Sequence, residues 1–166
     1  MDVYQRQPHG YIKLDGIRIT KLTKPSDIAA CGVKKRVYVA DSENFGIWLV
    51  RNPLSDESIV EHFAKVRRAS GMSVTQFQYI VVVTELADLI VFDSDGRAMS
   101  KIVLSDKQIG LSDPLQAVLL PTGHFIICSG LCKNKQHTVV KMSVKKEIQV
   151  SLVHQLYLDN VWLTSI

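Results

Sequence analysis

Two histidines and two cysteines near the C-terminus have the side-chain types of a zinc site. They are His124, Cys128, Cys132 and His137, and proteins bind zinc mainly through cysteine sulfur and histidine nitrogen. If residues 124–129 form a strand, His124 and Cys128 lie on the same side of it but roughly 13 Å apart, at ~3.3 Å per residue. Zinc requires every ligand atom within about 2.0–2.3 Å. We therefore expect no metal and no cofactor, and we interpret Cys128 as a small core residue.

Short clusters of lysine and arginine have a second possible chemistry, because these side chains neutralise nucleic-acid phosphates. A site that follows a single strand needs its charge on one surface, together with aromatic side chains on which bases stack. The formal net charge of +4 is only a mild excess. The clusters are Lys34, Lys35 and Arg36; Arg67 and Arg68; Lys133 and Lys135; and Lys145 and Lys146.

The composition fits one folded unit without a membrane segment. The chain has 166 residues, of which 46% are hydrophobic, and this is enough for a buried core. The longest apolar run, residues 79–83, is far shorter than the about 20 residues that cross a bilayer. The three cysteines are an odd number, which favours reduced thiols over a disulfide framework. We expect a soluble chain, and the sequence indicates no compartment.

Three apolar segments repeat along the chain and must belong to the elements that position these side chains. The spacing is about 44 residues, which is typical of repeat folds. Each segment starts with β-branched or aromatic residues and ends in a polar one, as a buried strand does where it reaches solvent. The alignment predicts that Val39, Val83 and Ile127 are equivalent and buried. The segments are residues 37–41, 81–85 and 125–129.

Each repeated segment has further short strands around it. One apolar run precedes it and two follow, separated by polar turns such as residues 93–96 and 121–123. Four short strands in a period of roughly 40–45 residues are the signature of a β-propeller blade. The predicted fold is all-β, a partial β-propeller of four-stranded antiparallel blades. The predicted blades span residues 21–66, 70–105 and 113–153.

One segment has two possible interpretations. Ile59, Val60, Phe63 and Val66 follow a helical spacing, so the segment taken alone predicts a helix. Its place in the repeat is that of a fourth, outer strand, and the repeat favours the strand.

The first predicted blade resembles an NHL repeat. It contains Pro25-Ser26-Asp27-Ile28-Ala29, then VYVADSEN over residues 37–44, and then Ile47. In that family a proline-led inner strand precedes a second and third strand of this type. The third blade matches more loosely, and the second lacks both motifs. The resemblance implies a propeller of about six blades, used for binding proteins or RNA and, in a few relatives, for catalysis.

Both ends of the chain are expected to lie within blades. Residues 11–20 are predicted to end a preceding blade, as a hairpin of 11–14 and 17–20 around the Asp15-Gly16 turn. Residues 160–166 are predicted to start the next blade. The outer flanks of such a segment are apolar and need neighbouring blades. We therefore expect the remaining blades of a longer propeller, or self-association, to cover them.

The leading functional expectation is a protein-binding scaffold, because a rigid propeller presents its loops for recognition. Phe45 lies in a loop and is the aromatic candidate for an interface, whereas Trp48 and Trp162 lie in predicted strands and are expected to pack between blades. The candidate partner-binding residues are Asp41, Glu43, Asn44, Phe45, Glu85 and Asp88.

RNA binding is one alternative, with Lys34, Lys35 and Arg36 as its candidate residues. Propeller loops alternate between two faces, however, and this puts the other arginine and lysine clusters partly on the opposite face. The split charge disfavours a site that follows a nucleic-acid backbone.

A metal-dependent lactonase or lyase is the other alternative, implied by the resemblance to gluconolactonase-like hydrolases and amidating lyases. Asp41, Glu85 and Ser129 end the three repeated segments, and two carboxylates at equivalent positions are candidate ligands for a divalent cation. No nucleophile motif or phosphate-binding loop occurs in the sequence. We therefore expect no enzymatic activity from this chain alone.

Overall fold

A computed structural model describes most of the chain. The described residues are 3–7, 10–14, 19–55, 57–105, 111, 113–131, 136–145 and 147–157. They form strands and turns and contain no helix, so none of them belongs to a helix that could span a membrane.

A two-stranded sheet precedes the blades. Its strands are β1 (Val3–Gln7) and β2 (Gly10–Leu14), which pair antiparallel. The predicted hairpin paired residues 11–14 with residues 17–20 instead. In the described residues β2 pairs with the strand before it, and residues 19 and 20 are not in a strand. Residues 15–18 of the predicted hairpin lie outside the described residues, as do residues 160–166, which are predicted to start the next blade, so the hairpin and the next blade stay predictions.

Blade 1 is a four-stranded antiparallel sheet in chain order. Its strands are β3 (Pro25–Cys31), β4 (Arg36–Asp41), β5 (Gly46–Arg51) and β6 (Ile59–Lys65). The outer strand β6 covers the segment whose spacing alone predicted a helix. The strand interpretation is confirmed, because β6 pairs antiparallel with β5 along its length, with one register shift between Ile47 and Trp48, and tertiary pairing of this kind overrides a local helical pattern.

Blades 2 and 3 repeat this order. Blade 2 consists of β7 (Ala69–Val74), β8 (Ile80–Thr84), β9 (Asp88–Phe92) and β10 (Ala98–Val103). Blade 3 consists of β11 (Pro114–Leu119), β12 (His124–Leu131), β13 (Gln136–Lys145) and β14 (Glu147–Tyr157). Each is a four-stranded antiparallel sheet in chain order. The predicted fold class is confirmed.

The hydrophobic core is divided between the two seams at which neighbouring blades pack. We call the side of a blade that meets the next blade its forward flank, and the opposite side its backward flank. At the first seam the forward flank of blade 1 packs on the backward flank of blade 2, and a second cluster joins blades 2 and 3. The first seam includes Tyr38, Ala40, Ile47, Leu49, Met72, Ile80 and Val82.

A bulge in the first strand of every blade fixes which positions are equivalent. Before the bulge the strand pairs with the end of the second strand, and after it the pairing shifts by one residue. The pairs at this point are Pro25 with Asp41, Ala69 with Thr84, and Pro114 with Ser129.

The alignment by an even spacing of 44 residues misplaces the second strand of blade 2 by one residue. Val39 and Ile127 are equivalent, but their counterpart is Val82, which pairs with Met72, and not Val83. The prediction that Val83 is buried is right, and its equivalence is wrong. All five residues of β8 are buried, so alternation of apolar and polar residues could not reveal the register.

Glycine is required where the inner strands of blades 2 and 3 approach each other. A Cβ atom placed on Gly71 would overlap the backbone carbonyl oxygen of Leu115 and would also crowd the Gln116 side chain. Around this point Gln116 Nε2 donates to the Met72 carbonyl at 3.0 Å and to Asp27 Oδ2 at 3.2 Å. Side-chain hydrogen bonds therefore connect the inner strands of all three blades.

Candidate functional site

The turn between the second and third strands of blade 1 is organised by a buried carboxylate. Asp41 has no solvent-exposed surface. Its Oδ2 accepts hydrogen bonds from Thr23 N at 2.7 Å and Asn44 Nδ2 at 3.2 Å. Its Oδ1 accepts from Lys24 N at 2.9 Å and from the Glu43 and Asn44 amides, both at 3.3 Å. One side chain thus ties the entry to blade 1 to the β4–β5 turn.

These hydrogen bonds keep the Asp41 side chain ionised. Burial alone would raise its pKa, but the N–H donors of Thr23, Lys24 and Asn44 stabilise the charged form and lower the pKa below its ordinary value of 3.8. Its oxygens therefore bind donors of the chain itself, and Asp41 has no exposed surface in the structure. The expectation that it contributes to partner binding stays a prediction, and its place in the turn is that of an organising residue.

Asn44 completes the same network from the other side. Its Nδ2 group donates to the Lys21 carbonyl and to Thr23 Oγ1, both at 2.7 Å. Asn44 is therefore also an organising residue, although it remains exposed. Together the two polar side chains fix the conformation of residues 42–45.

The fixed turn presents Phe45 to solvent. Its backbone φ is 51°, a left-handed conformation that non-glycine residues adopt only when their surroundings impose it. Phe45 is 40% exposed, and the Arg67 guanidinium lies over its ring, 5.4 Å from the ring centroid. Lys24 and Glu43 form an exposed ion pair beside it at 3.8 Å.

The aromatic group is continuous with charged residues of blade 2. Arg68 follows Arg67 directly and pairs with Glu85, Nε to Oε2 at 3.6 Å. We call one side of the blades the upper face. It carries the β4–β5 and β8–β9 turns and the connection between blades 1 and 2. Of the predicted residues, the structure places four exposed on this face: Glu43, Asn44, Phe45 and Glu85.

Asp88 does not join this exposed group. Its side chain is 15% exposed and its carboxylate pairs with Lys101 Nζ at 2.9 Å, while its backbone N–H donates to Thr84 Oγ1 at 3.1 Å. Asp88 therefore ties β9 to β10 and has little surface for a partner.

The basic residues proposed for RNA lie on the opposite, lower face, which carries the turns between first and second and between third and fourth strands. Lys34 and Lys35 are in the β3–β4 turn. The Arg36 guanidinium donates from Nη1 to the Ser94 carbonyl of blade 2 at 3.0 Å, so it bridges two blades.

The sequence interpretation missed four large apolar side chains on lower-face turns. Val33 is 83% exposed and Leu54 is 74% exposed, and both are in turns of blade 1. Phe77 is 59% and Tyr79 is 36% exposed in the β7–β8 connection, with ring centroids 6.5 Å apart. Aromatic residues between polar turn residues at 75–79 were the available signal.

The carboxylate arrangement expected of a lactonase-type cation site is not formed. The true equivalents are Asp41, Thr84 and Ser129, so Glu85 is displaced by one residue and pairs with Arg68 in solvent. Within the described part of the chain, no three or more histidine, cysteine, aspartate or glutamate side chains come together as metal ligands do. His124 Nδ1 contacts Thr122 Oγ1 at 3.0 Å.

The three sheets follow one another in chain order and pack flank on flank, and their inner strands are joined by hydrogen bonds. This arrangement defines a segment of a β-propeller.

No family model and no curated protein matches the sequence. Solved structures do match the fold. A chain in the crystal structure of a nidogen–laminin complex superposes with a TM-score of 0.62 at 18% identity, over 84% of this chain and 50% of that one.

Two bacterial proteins match similarly. A gluconolactonase from Xanthomonas campestris gives a TM-score of 0.55 at 18% identity, over 76% of this chain and 40% of its own. Hydrazine synthase of Kuenenia stuttgartiensis gives 0.58 at 16% identity, over 77% and 37%. The chain therefore spans half or less of these three solved chains, and the likeness identifies the fold.

Proposed function

We propose that this chain is a protein-binding scaffold whose contact site is the upper face of blades 1 and 2, centred on Phe45. The observation that carries the proposal is the buried Asp41 carboxylate, which holds the turn so that an aromatic ring is presented at a positive φ. Preorganisation of this kind reduces the entropy lost on binding. Ala87 has a similar φ of 58° in the equivalent turn of blade 2, so the backbone conformation belongs to the repeat, and the exposed aromatic side chain distinguishes the turn of blade 1.

The neighbours of Phe45 support an interface centre. Aromatic and arginine side chains are the residue types most enriched at binding hot spots, and here Arg67 already lies over the ring. On the same face Glu43 pairs with Lys24, and Glu85 pairs with Arg68. Both ion pairs are exposed, so a partner can replace them at little cost. A matching propeller occurs in a chain of the nidogen–laminin complex, which is a protein assembly.

We also infer that the propeller is of the NHL-repeat type. The support is that the residues of blade 1 which carry the resemblance also carry its local structure. Asp41 organises the turn, and Asp27 accepts a hydrogen bond from Met72 N at 2.5 Å across the first seam.

A photo-crosslinking amino acid at position 45 tests the proposed interface. The expected result is a discrete crosslinked protein from cells that produce the chain, and none when the same group replaces Phe77 on the lower face. Once the captured protein is purified, Phe45→Ala should raise the dissociation constant of the complex at least about 30-fold. Phe77→Ala removes an equally large exposed ring and should change it less than about twofold. Equal losses from both substitutions would refute the assignment to the upper face.

RNA binding is a second candidate, favoured by one observation. Lys34 and Lys35 lie on the same face as the exposed rings of Phe77 and Tyr79, and charge with stacking rings is the pattern of single-strand binding. If this holds, affinity for an oligouridine strand should fall steeply between 50 and 200 mM salt, as counterion release requires. Charge reversal at both lysines should abolish it, and reversal at Arg67 and Arg68 should not. Binding that is insensitive to the lysine reversals would exclude this candidate.

A further inference from the structure

Four short segments of the upper face of blades 1 and 2 carry more positive than negative charge. We call them the upper strip: residues 21–24, 42–45, 65–68 and 85–87. The further carboxylate of this region, Asp41, is buried and binds N–H groups of the chain itself. The chain as a whole has 20 lysines and arginines for 16 aspartates and glutamates, so most of its small excess of cations lies here. The exposed charged side chains of the strip are five cations and two carboxylates, namely Lys21, Lys24, Lys65, Arg67 and Arg68 against Glu43 and Glu85.

Arg67 has no counter-charge of its own. Its guanidinium lies over the Phe45 ring, and no carboxylate among the described residues pairs with it. By contrast, Arg51 pairs with Glu61 in blade 1. A ring is a weak hydrogen-bond acceptor, so the N–H donors of Arg67 remain available to a carboxylate, which a guanidinium binds through two parallel hydrogen bonds.

A second exposed apolar side chain lies at the blade 2 end of the upper strip. Leu86 is 50% exposed in the β8–β9 turn. Backbone hydrogen bonds join its turn to that of Phe45 through the connection between the blades. Val66 N donates to the Phe45 carbonyl at 2.9 Å, and Glu85 N donates to the Arg68 carbonyl at 2.9 Å. The cationic connection between blades 1 and 2 therefore lies between two exposed apolar side chains.

We propose that the partner of the upper face presents an acidic peptide segment in which carboxylates lie next to large apolar side chains. The apolar side chains pack on Phe45 and Leu86, and a carboxylate pairs with Arg67 while the guanidinium stays on the ring. Complementary charge of this kind steers the encounter and disfavours like-charged segments. This inference rests on the protein-binding proposal and adds the chemistry of the partner.

A nucleic acid fits the upper strip less well than an acidic peptide does. Glu43 and Glu85 are exposed within the strip and repel a phosphate backbone, whereas a peptide has backbone N–H donors that these carboxylates accept. Single-strand sites stack successive bases on aromatic rings. Leu86 has no ring, and Phe45 already has the Arg67 guanidinium over it.

Selection of short random peptides, displayed on phage, against the immobilised chain tests the class of partner. The expected result is enrichment of sequences with a net negative charge and at least one aromatic or large aliphatic residue. Synthetic copies of the enriched peptides should bind less tightly as salt rises from about 50 to 200 mM, because exposed charges are then screened. An oligouridine strand at the same concentration should not displace them.

Charge reversal at Arg67 tests the proposed ion pair. Arg67→Glu should weaken the binding of the enriched peptides at least about 10-fold. The side chain is exposed and its described contact is with the exposed Phe45, so folding should be retained. Lys35→Glu, at an exposed position on the lower face, makes the same change in net charge. This matched control should alter the affinity less than about twofold.

The outcomes separate the acidic class of the partner from the upper-face site on which it depends. Peptides that bind Phe45→Ala as tightly as the wild type, or the failure to enrich any sequence, would refute the site and the inference together. Peptides that need Phe45 but are neutral or basic, or that tolerate Arg67→Glu, would leave the site in place and overturn the acidic class. Displacement by the oligouridine strand would overturn it in favour of a nucleic acid.

Discussion

Replacing Asp41 with alanine is expected to cost about 3 kcal/mol or more of folding free energy, the largest loss for any single side chain on the upper face. The substitution leaves the amides of Thr23, Lys24, Glu43 and Asn44 without their acceptor, and unsatisfied buried donors each cost about 1–3 kcal/mol where water cannot replace the partner. The measurement is denaturant unfolding at neutral pH. Phe45 should also lose its fixed orientation, so partner binding should fall with stability.

Asp88→Ala is the matched control for this prediction. Asp88 also lies beside a β-turn and pairs with a cation, but that cation is the exposed Lys101, and ion pairs of this kind contribute about 0–1 kcal/mol. The loss at Asp88 should therefore be within about 1 kcal/mol. Equal losses at the two positions would contradict the assignment of Asp41 as the organiser of the turn.

The lowered pKa of Asp41 makes a separate prediction about acid. Because the folded-state pKa lies below the unfolded value of 3.8, the carboxylate contributes stability that is fully present above about pH 4 and is lost as the pH falls through the folded-state pKa. Asp93 has a lowered pKa too, through the Arg97 amide, so it is a further source of acid lability. Stability measured between pH 5 and 2 should fall less steeply in Asp41→Asn than in the wild type. An unchanged slope would contradict the role of Asp41.

The fold was predictable because each blade repeats the same chemistry. Polar turns and β-branched segments identified three blades, and the proline and aspartate of blade 1 identified its inner and second strands. The register within blade 2 was not predictable, because β8 is buried on both sides and its alternation is hidden. The bulge in each first strand, which sets the register, depends on pairing and has no reliable sequence signal.

The site was predictable only in its location. The sequence placed Asp41 and Phe45 in one loop but gave both the same role, because nothing local shows that the carboxylate points inward. Thr23 and Lys24, whose amides it binds, are 18 and 17 residues away, and Arg67 reaches the ring from the next connection. Such contacts depend on the stacking of blades, and this is also why the exposed rings of the β7–β8 connection were missed.

The second large effect is expected at the seam between blades 2 and 3, where Gly71→Ala should destabilise the chain by about 2–3 kcal/mol. The new methyl group would overlap the Leu115 carbonyl oxygen, and a backbone atom in a paired strand cannot move aside as a flexible side chain can. Overpacking of this kind typically costs about 1–3 kcal/mol. Separation of the inner strands would also break the hydrogen bond from Gln116 Nε2 to the Met72 carbonyl.

Gly32→Ala separates this effect from the ordinary consequence of replacing a glycine. A Cβ atom on Gly32 meets no atom within 4 Å, and its φ is not in the left-handed region, so alanine there should be neutral or stabilising by up to about 1 kcal/mol through a smaller unfolded-state entropy. Thermal and denaturant unfolding of the two variants should therefore shift in opposite directions or differ by at least about 2 kcal/mol. If Gly71→Ala is as stable as Gly32→Ala, the inner strands of blades 2 and 3 do not approach as described.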